Sequence, residues 1–137
     1  MTTSLAHAQV GESLTPLDCA PITRTMLALF AGASNDHNPI HIDIDYARDA
    51  GLPDVIAHGM LSMASLARML TGHVPPGRLR QFGVRFVGVT RVGDRLTCTA
   101  TVQERFHADT EERVRLQLQA TDQKGEIKLA GEAVVAL

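Results

Sequence analysis

The chain has 137 residues, 45% of them apolar, which fits one domain with a sizeable core and argues against a disordered segment. Net charge is −2, from 13 basic and 15 acidic residues spread along the chain. No basic block tracks phosphates and only five aromatics (four Phe, one Tyr) could stack on bases, so no nucleic-acid partner is expected.

The N-terminus, MTTSLAHAQV, has no basic region followed by an apolar run, so it does not read as a secretion signal. Residues 1–9 read as a flexible tail, leaving 10–137 as a single domain. Ser13 to Ala20 predicts a short first strand, ended by Pro21. The two cysteines, Cys19 and Cys98, are far apart in sequence and lack partner spacing, so both read as reduced core thiols. Thr23 suits the N-cap of a helix running to about Ala33, with Met26, Leu27, Leu29 and Phe30 on its apolar face. Ser34 to Pro39 is a cluster of turn formers and should be irregular. A short helix from Asp45 to Ala50 should end at Gly51, which can take the left-handed position after a helix.

His58 to Thr71, HGMLSMASLARMLT, is apolar or small on nearly every side and predicts a helix buried all round. The apolar run from Gly59 to Leu70 is interrupted by Arg68 and too short to span a bilayer. No membrane partner is therefore expected, and the cytoplasm is the expected address. Pro75-Pro76-Gly77 stops the helix, and the period then changes to two. Phe82, Val84 and Phe86 alternate with Gln81, Gly83 and Arg85. Leu96 to Val102, Val114 to Ala120 and Ile127 to Val135 alternate in the same way. These are half-buried antiparallel strands, with Val92-Gly93-Asp94, His107 to Thr110 and Asp122 to Gly125 as hairpin-like links. Helices followed by hairpin strands make the class α+β, with the curved sheet wrapping the apolar helix.

Asp36-His37-Asn38-Pro39-Ile40-His41 is the sharpest local feature. Pro39 fixes its own φ and pushes Asn38 away from helical angles, so the bend is stiff. Such a bend can bring Asp36 and His41 to one point, where a carboxyl and an imidazole that titrates near neutrality could hold a water. The plainer reading is that Asp beside Asn-Pro is an ordinary turn former. A metal site is a second alternative, because His37 and His41 have the i, i+4 spacing of helical ligands and His58 could be a third. Asn38-Pro39 disfavours the helix that this would need. His58-Gly59-Met60 opens the buried helix, whose first amides are unpaired, and Gly59 lets a carbonyl approach closely. The plainer reading here is a glycine that lets the helix start against a tight neighbour. Arg78, Arg80, Arg85 and Arg91 could meet a cofactor phosphate, but solvated strand and loop charges are the commoner explanation.

Together these pieces resemble the MaoC-like (R)-specific enoyl-CoA hydratase and (3R)-hydroxyacyl dehydratase family. The resemblance rests on Asp36-His37-Asn38-Pro39-Ile40-His41 with Asp43, similar to the family's D-x-N-P-x-H-x-D signature. It rests also on His58-Gly59-Met60 and on Arg85-Phe86 followed by Val92-Gly93-Asp94, over about residues 25–137. It implies a hot-dog fold over 10–137, a homodimer, and reversible syn hydration of a trans-2-enoyl-CoA to the (R)-3-hydroxyacyl-CoA. Asp36 and His41 would activate the water, the Gly59 amide would bind the thioester carbonyl, and Asn38 and Pro39 would support the loop. No metal and no cofactor is implied. Dehydration of a (3R)-hydroxyacyl group on acyl carrier protein is an alternative, as is a non-catalytic subunit that binds acyl thioesters. Some members carry a hydroxyl near the position of Ala67; the nearest hydroxyls here are Ser62 and Ser65.

Overall fold

The computed structural model describes residues 4–137. Three helices, α1 (Arg24–Ser34), α2 (Ile44–Asp49) and α3 (Gly59–Thr71), precede most of the sheet. The strands are β1 (Leu17–Asp18), β2 (Leu79–Phe86), β3 (Thr97–Ala108), β4 (Glu111–Thr121) and β5 (Ile127–Ala136). They form one antiparallel sheet of order β1-β3-β4-β5-β2.

The sheet curls around α3, the hot-dog arrangement expected from the sequence. Leu66, Met69 and Leu70 of α3 pack against the inward residues of three strands, including Cys98, Ala100 and Val102 of β3, Leu116 and Leu118 of β4, and Ala133 and Val135 of β5. Alternation puts these apolar side chains on one face and Thr99, Thr101, Gln117 and Gln119 on the other, as the twofold period requires. A second cluster of Ile22, Leu27, Ala47, Val55 and Ala57 seats α1 and α2 beside this core. Among the described residues no helix is long and apolar enough to cross a membrane.

Several local expectations hold. Thr23 Oγ1 accepts from Met26 N at 3.1 Å and caps α1. Asp109 and Thr110, with φ of 49° and 63°, form the two-residue turn joining β3 to β4. Gly51, with φ of 90°, follows α2.

Other expectations are corrected. Val92-Gly93-Asp94 is a turn but not a hairpin. The sheet order places β2 and β3 on opposite sides, and Gly93 N donates to Ile22 O while Ile22 N donates to Asp94 O. The first strand shrinks to Leu17–Asp18, with Ser13 making a lone bridge to Thr101, because Pro16 has no N–H to give a ladder. Helix α3 is not buried all round: Met60 is 56% exposed, and only Ser62, Leu66, Met69 and Leu70 are fully covered. The sheet covers one side of the helix and the second cluster meets Leu61, leaving Met60 uncovered.

The tail also departs from its reading. Leu5 and Ala8 are buried, and the Arg105 guanidinium collects the carbonyls of Leu5, Ala6 and Ala8. Residues 1–3 of that segment lie outside the described residues. Cys19 and Cys98, distant in sequence, are neighbours across the β1–β3 pairing, yet both are free thiols. Burial, then Cys19, pushes the Cys98 thiol up to about 12, so it is inert core.

Candidate functional site

Asn35 ends α1 in the left-handed region, with φ of 59°, and turns the chain so that Asp36 leaves the helix axis. The next residues are tied by short-range bonds. Asn38 N donates to Asp36 Oδ1 at 3.3 Å, and Ile40 N donates to Asn38 Oδ1 at 3.0 Å. Pro39 opens a single 3₁₀ turn through His41, so the segment is less irregular than its composition suggested. The turn is then pinned to the strand-like segment before α3. Ile56 N donates to Ile40 O, and His41 Nδ1 lies 2.7 Å from Ile56 O.

That last contact sets the tautomer. A carbonyl only accepts, so His41 Nδ1 carries a proton and, in the neutral ring, Nε2 presents its lone pair. Nε2 faces Asp36 Oδ2 at 3.7 Å, too far for a direct hydrogen bond. The His41 side chain is 11% exposed and that of Asp36 50%, so the imidazole is sheltered and the carboxyl stands at the mouth. A lone pair facing a carboxylate at this distance suits one bridging water that donates to both.

Both groups open into a cavity of about 340 Å³, whose apolar wall includes Ile56, Ala57, Met60, Phe86, Val89 and Leu129. Gly59 lies on the same wall as the first residue of α3, where the main-chain N–H has no intrahelical acceptor. A Cβ at Gly59 would stand 2.8 Å from the Phe86 ring, so the tight-neighbour reading of this glycine also holds. A larger depression of about 490 Å³, lined by Gly83, Arg85, Gln103, Gln117 and Glu132, lies on the outer side of the sheet and has no acid–imidazole pair.

In the sequence His58 reads as the residue opening the helix and as a possible third metal ligand. It is 1% exposed, and its ring stacks on His41 with centroids 3.8 Å apart and planes at 24°. Phe30 meets it edge-on at 4.9 Å, and its Nε2 lies 3.3 Å from the Asp36 main-chain O. Burial, and then the neighbouring His41, hold His58 below the ordinary histidine value. The sequence signal was an imidazole directly before the helix glycine.

Asp36, His41 and His58 offer three ligand atoms within 4.8 Å of one another. The rings are nearly parallel, however, so their in-plane lone pairs run side by side rather than converging, and one nitrogen of each faces a main-chain carbonyl. This does not fit a tetrahedral metal site. His37 is exposed and takes no part in the cluster. Asp43, in the signature, caps α2 through Asp45 N and Tyr46 N. Of the two serines on α3, Ser65 donates to Leu61 O, while Ser62 is buried without a partner among the described residues. Of the arginines near the strand ends, Arg80 pairs with Glu111 and Arg78 donates to Leu137 O.

An antiparallel sheet curled on a central helix, with an acid–imidazole pair in an apolar pocket at the helix start, defines one class of hot-dog protein. The chain belongs to the MaoC like domain family, whose pattern matches residues 6–124. It is 39% identical over 83 residues to the (R)-specific enoyl-CoA hydratase of Rhodospirillum rubrum, covering 59% of this chain and 58% of that protein. It is 37% identical over 111 residues to a fatty acid synthase subunit beta of Aspergillus oryzae, covering 79% of this chain and 5% of the subunit. The chain thus spans less than two thirds of either curated relative. Among solved structures, R-hydratase PhaJ1 from Pseudomonas aeruginosa superposes with a TM-score of 0.82 at 32% identity, covering 96% of this chain and 83% of that one.

Proposed function

We propose that the chain is a hydro-lyase that adds water across a trans-2-enoyl thioester, preferably enoyl-CoA, to give the (R)-3-hydroxyacyl product. The observation that carries this reading is the 3.7 Å gap between His41 Nε2 and Asp36 Oδ2, opening into an apolar cavity beside the Gly59 amide. The names of the Rhodospirillum and Pseudomonas relatives support the same class and the same stereochemistry.

In this mechanism the acyl chain lies along Met60, Phe86 and Val89, and the thioester oxygen takes the Gly59 N–H. The bridging water adds its oxygen to C3, and one of its protons passes to the Asp36–His41 pair. The electrons of the double bond move onto the thioester oxygen, where the amide stabilises the enolate. The pair then returns a proton to C2 on the same face. The net change is addition of H and OH, and the reverse is dehydration. Asn38 and Pro39 hold the loop geometry.

The active unit is a homodimer in this reading. One edge of β2 has no strand beside it among the described residues, and the exposed apolar side chains Met60, Phe86 and Val89 lie near that edge. A second copy would cover them and complete the acyl channel.

The test is hydration of crotonyl-CoA and longer enoyl-CoAs, followed by ultraviolet absorbance, with chiral analysis of the product. Loss of absorbance and an (R)-3-hydroxyacyl product are expected. Unchanged absorbance at every chain length, or an (S) product, overturns the proposal.

A further inference from the structure

Two buried side-chain atoms are left without a hydrogen-bond partner among the described residues: His58 Nδ1 and Ser62 Oγ. Both residues are 1% exposed, and buried polar atoms are paired as a rule. They stand four residues apart, with His58 the N-cap of α3 and Ser62 inside its first turn and a half. A spacing of four residues puts positions 58 and 62 one turn apart at the start of the helix.

The protonation pattern is set by the other end of the ring. His58 Nε2 faces the Asp36 carbonyl at 3.3 Å, and that oxygen can only accept. Nε2 therefore carries a proton. In the neutral ring Nδ1 is an acceptor and requires a donor. The surroundings favour the neutral ring: Phe30 and His41 pack against it and, among the described residues, no carboxylate oxygen bonds to it.

We infer that His58 is a positioning residue for the Asp36–His41 pair, locked as the neutral Nε2–H tautomer by a hydrogen bond relayed from Ser62 through one buried water. This rests on the proposed hydratase reading for its catalytic meaning. Three parts of the site meet at this one ring. Its Nε2–H holds the main chain of Asp36, its face supports the plane of His41, and its own backbone leads into Gly59. Removing the ring nitrogens would let Asp36 drift relative to His41, and a displacement of about 1 Å in such a geometry costs about 10²-fold in rate.

Two measurements test it. Nitrogen NMR of the wild-type histidine rings, in the presence of Ser62→Ala as comparison, reads the tautomer whether or not the protein turns over. Protonated Nε2, unprotonated Nδ1 and a shifted Nδ1 resonance in Ser62→Ala are expected. An Nδ1–H tautomer, or an Nδ1 resonance unmoved in Ser62→Ala, overturns the inference. Kinetics then separate positioning from packing. His58→Phe keeps an aromatic ring and should lower kcat about 10–100-fold with KM within threefold, while His58→Gln, which restores a donor near the Nε2 position, should recover part of the loss. A folded His58→Phe with kcat within twofold of wild type refutes the positioning role. If wild type hydrates no enoyl thioester, the functional proposal fails, and the NMR result still decides the tautomer and its Ser62 partner.

Discussion

Gly59→Ala separates stability from catalysis at this site. The added Cβ would lie 2.8 Å from Phe86 Cε1 and 2.9 Å from Cδ1, against about 3.4 Å for ordinary contact, so the ring must withdraw by about 0.6 Å. Phe86 is the last residue of β2 and 53% exposed, so it can swing outward. Alanine also gains about 0.5–1 kcal/mol over glycine within a helix, which offsets part of the remaining strain. The urea midpoint should therefore correspond to a change within about 1 kcal/mol. The methyl, however, would stand in the pocket wall beside the amide, against Phe86 and the proposed acyl path. Losing one oxyanion donor costs about 10²–10³ in kcat, and crowding it should cost at least about tenfold. The assay is initial-rate hydration of crotonyl-CoA beside a urea titration of the same preparation. A folded Gly59→Ala with kcat within twofold of wild type would falsify the close approach of the thioester carbonyl to the Gly59 amide.

Gly131→Ala should do the reverse of this. Its Cβ would overlap the Gly83 carbonyl oxygen and lie 2.7 Å from Val84 Cα, both backbone, so β2 and β5 must part. A loss of about 3 kcal/mol in urea unfolding is expected, and an unchanged midpoint contradicts it. Hydrogen bonds from Arg80 and then Arg113 hold the Glu111 carboxyl at about 2, below its ordinary 4.5. A carboxylate shifted this way contributes stability that is complete above 4.5 and is lost as pH falls toward 2. The gap in urea midpoint between wild type and Glu111→Gln should then shrink from pH 7 to pH 3; an equal gap at both refutes the pairing. His58 is lowered from 6.5 by burial first and by His41 second, so the unfolded chain takes up a proton that the fold refuses. Stability should decline as pH drops below 6.5, and His58→Phe should decline less; identical profiles rule this out.

Local chemistry was the legible part of the chain. Thr23 and Gly51 marked helix ends through interactions within a few residues of each. The twofold alternation in β3, β4 and β5 gave the sheet its dry face, and Asp109-Thr110 its tightest turn. The Asp36 to His41 bend was readable because its ties, Asn38 to Asp36 and Ile40 to Asn38, span two residues each. Long-range pairing was illegible. The bonds between Gly93 and Ile22, and the meeting of Cys19 with Cys98, depend on which strands neighbour one another, and alternation does not encode that. Leu5 and Ala8 looked like tail because the partner that organises them, Arg105, lies about a hundred residues away. His58 looked like a helix opener because its contacts, with Asp36 and His41, exist only once α1 and α3 are side by side.

The central claim is that Asp36 and His41 act as one unit on one water. Rates of crotonyl-CoA hydration by Asp36→Asn, His41→Ala and the double variant test it most directly. Groups that share a task lose it together, so each single change should cost at least about 10²-fold in kcat and the double variant should be within about threefold of the worse single. A double variant whose loss equals the product of the two single losses, or either single variant near the wild-type rate, contradicts the account.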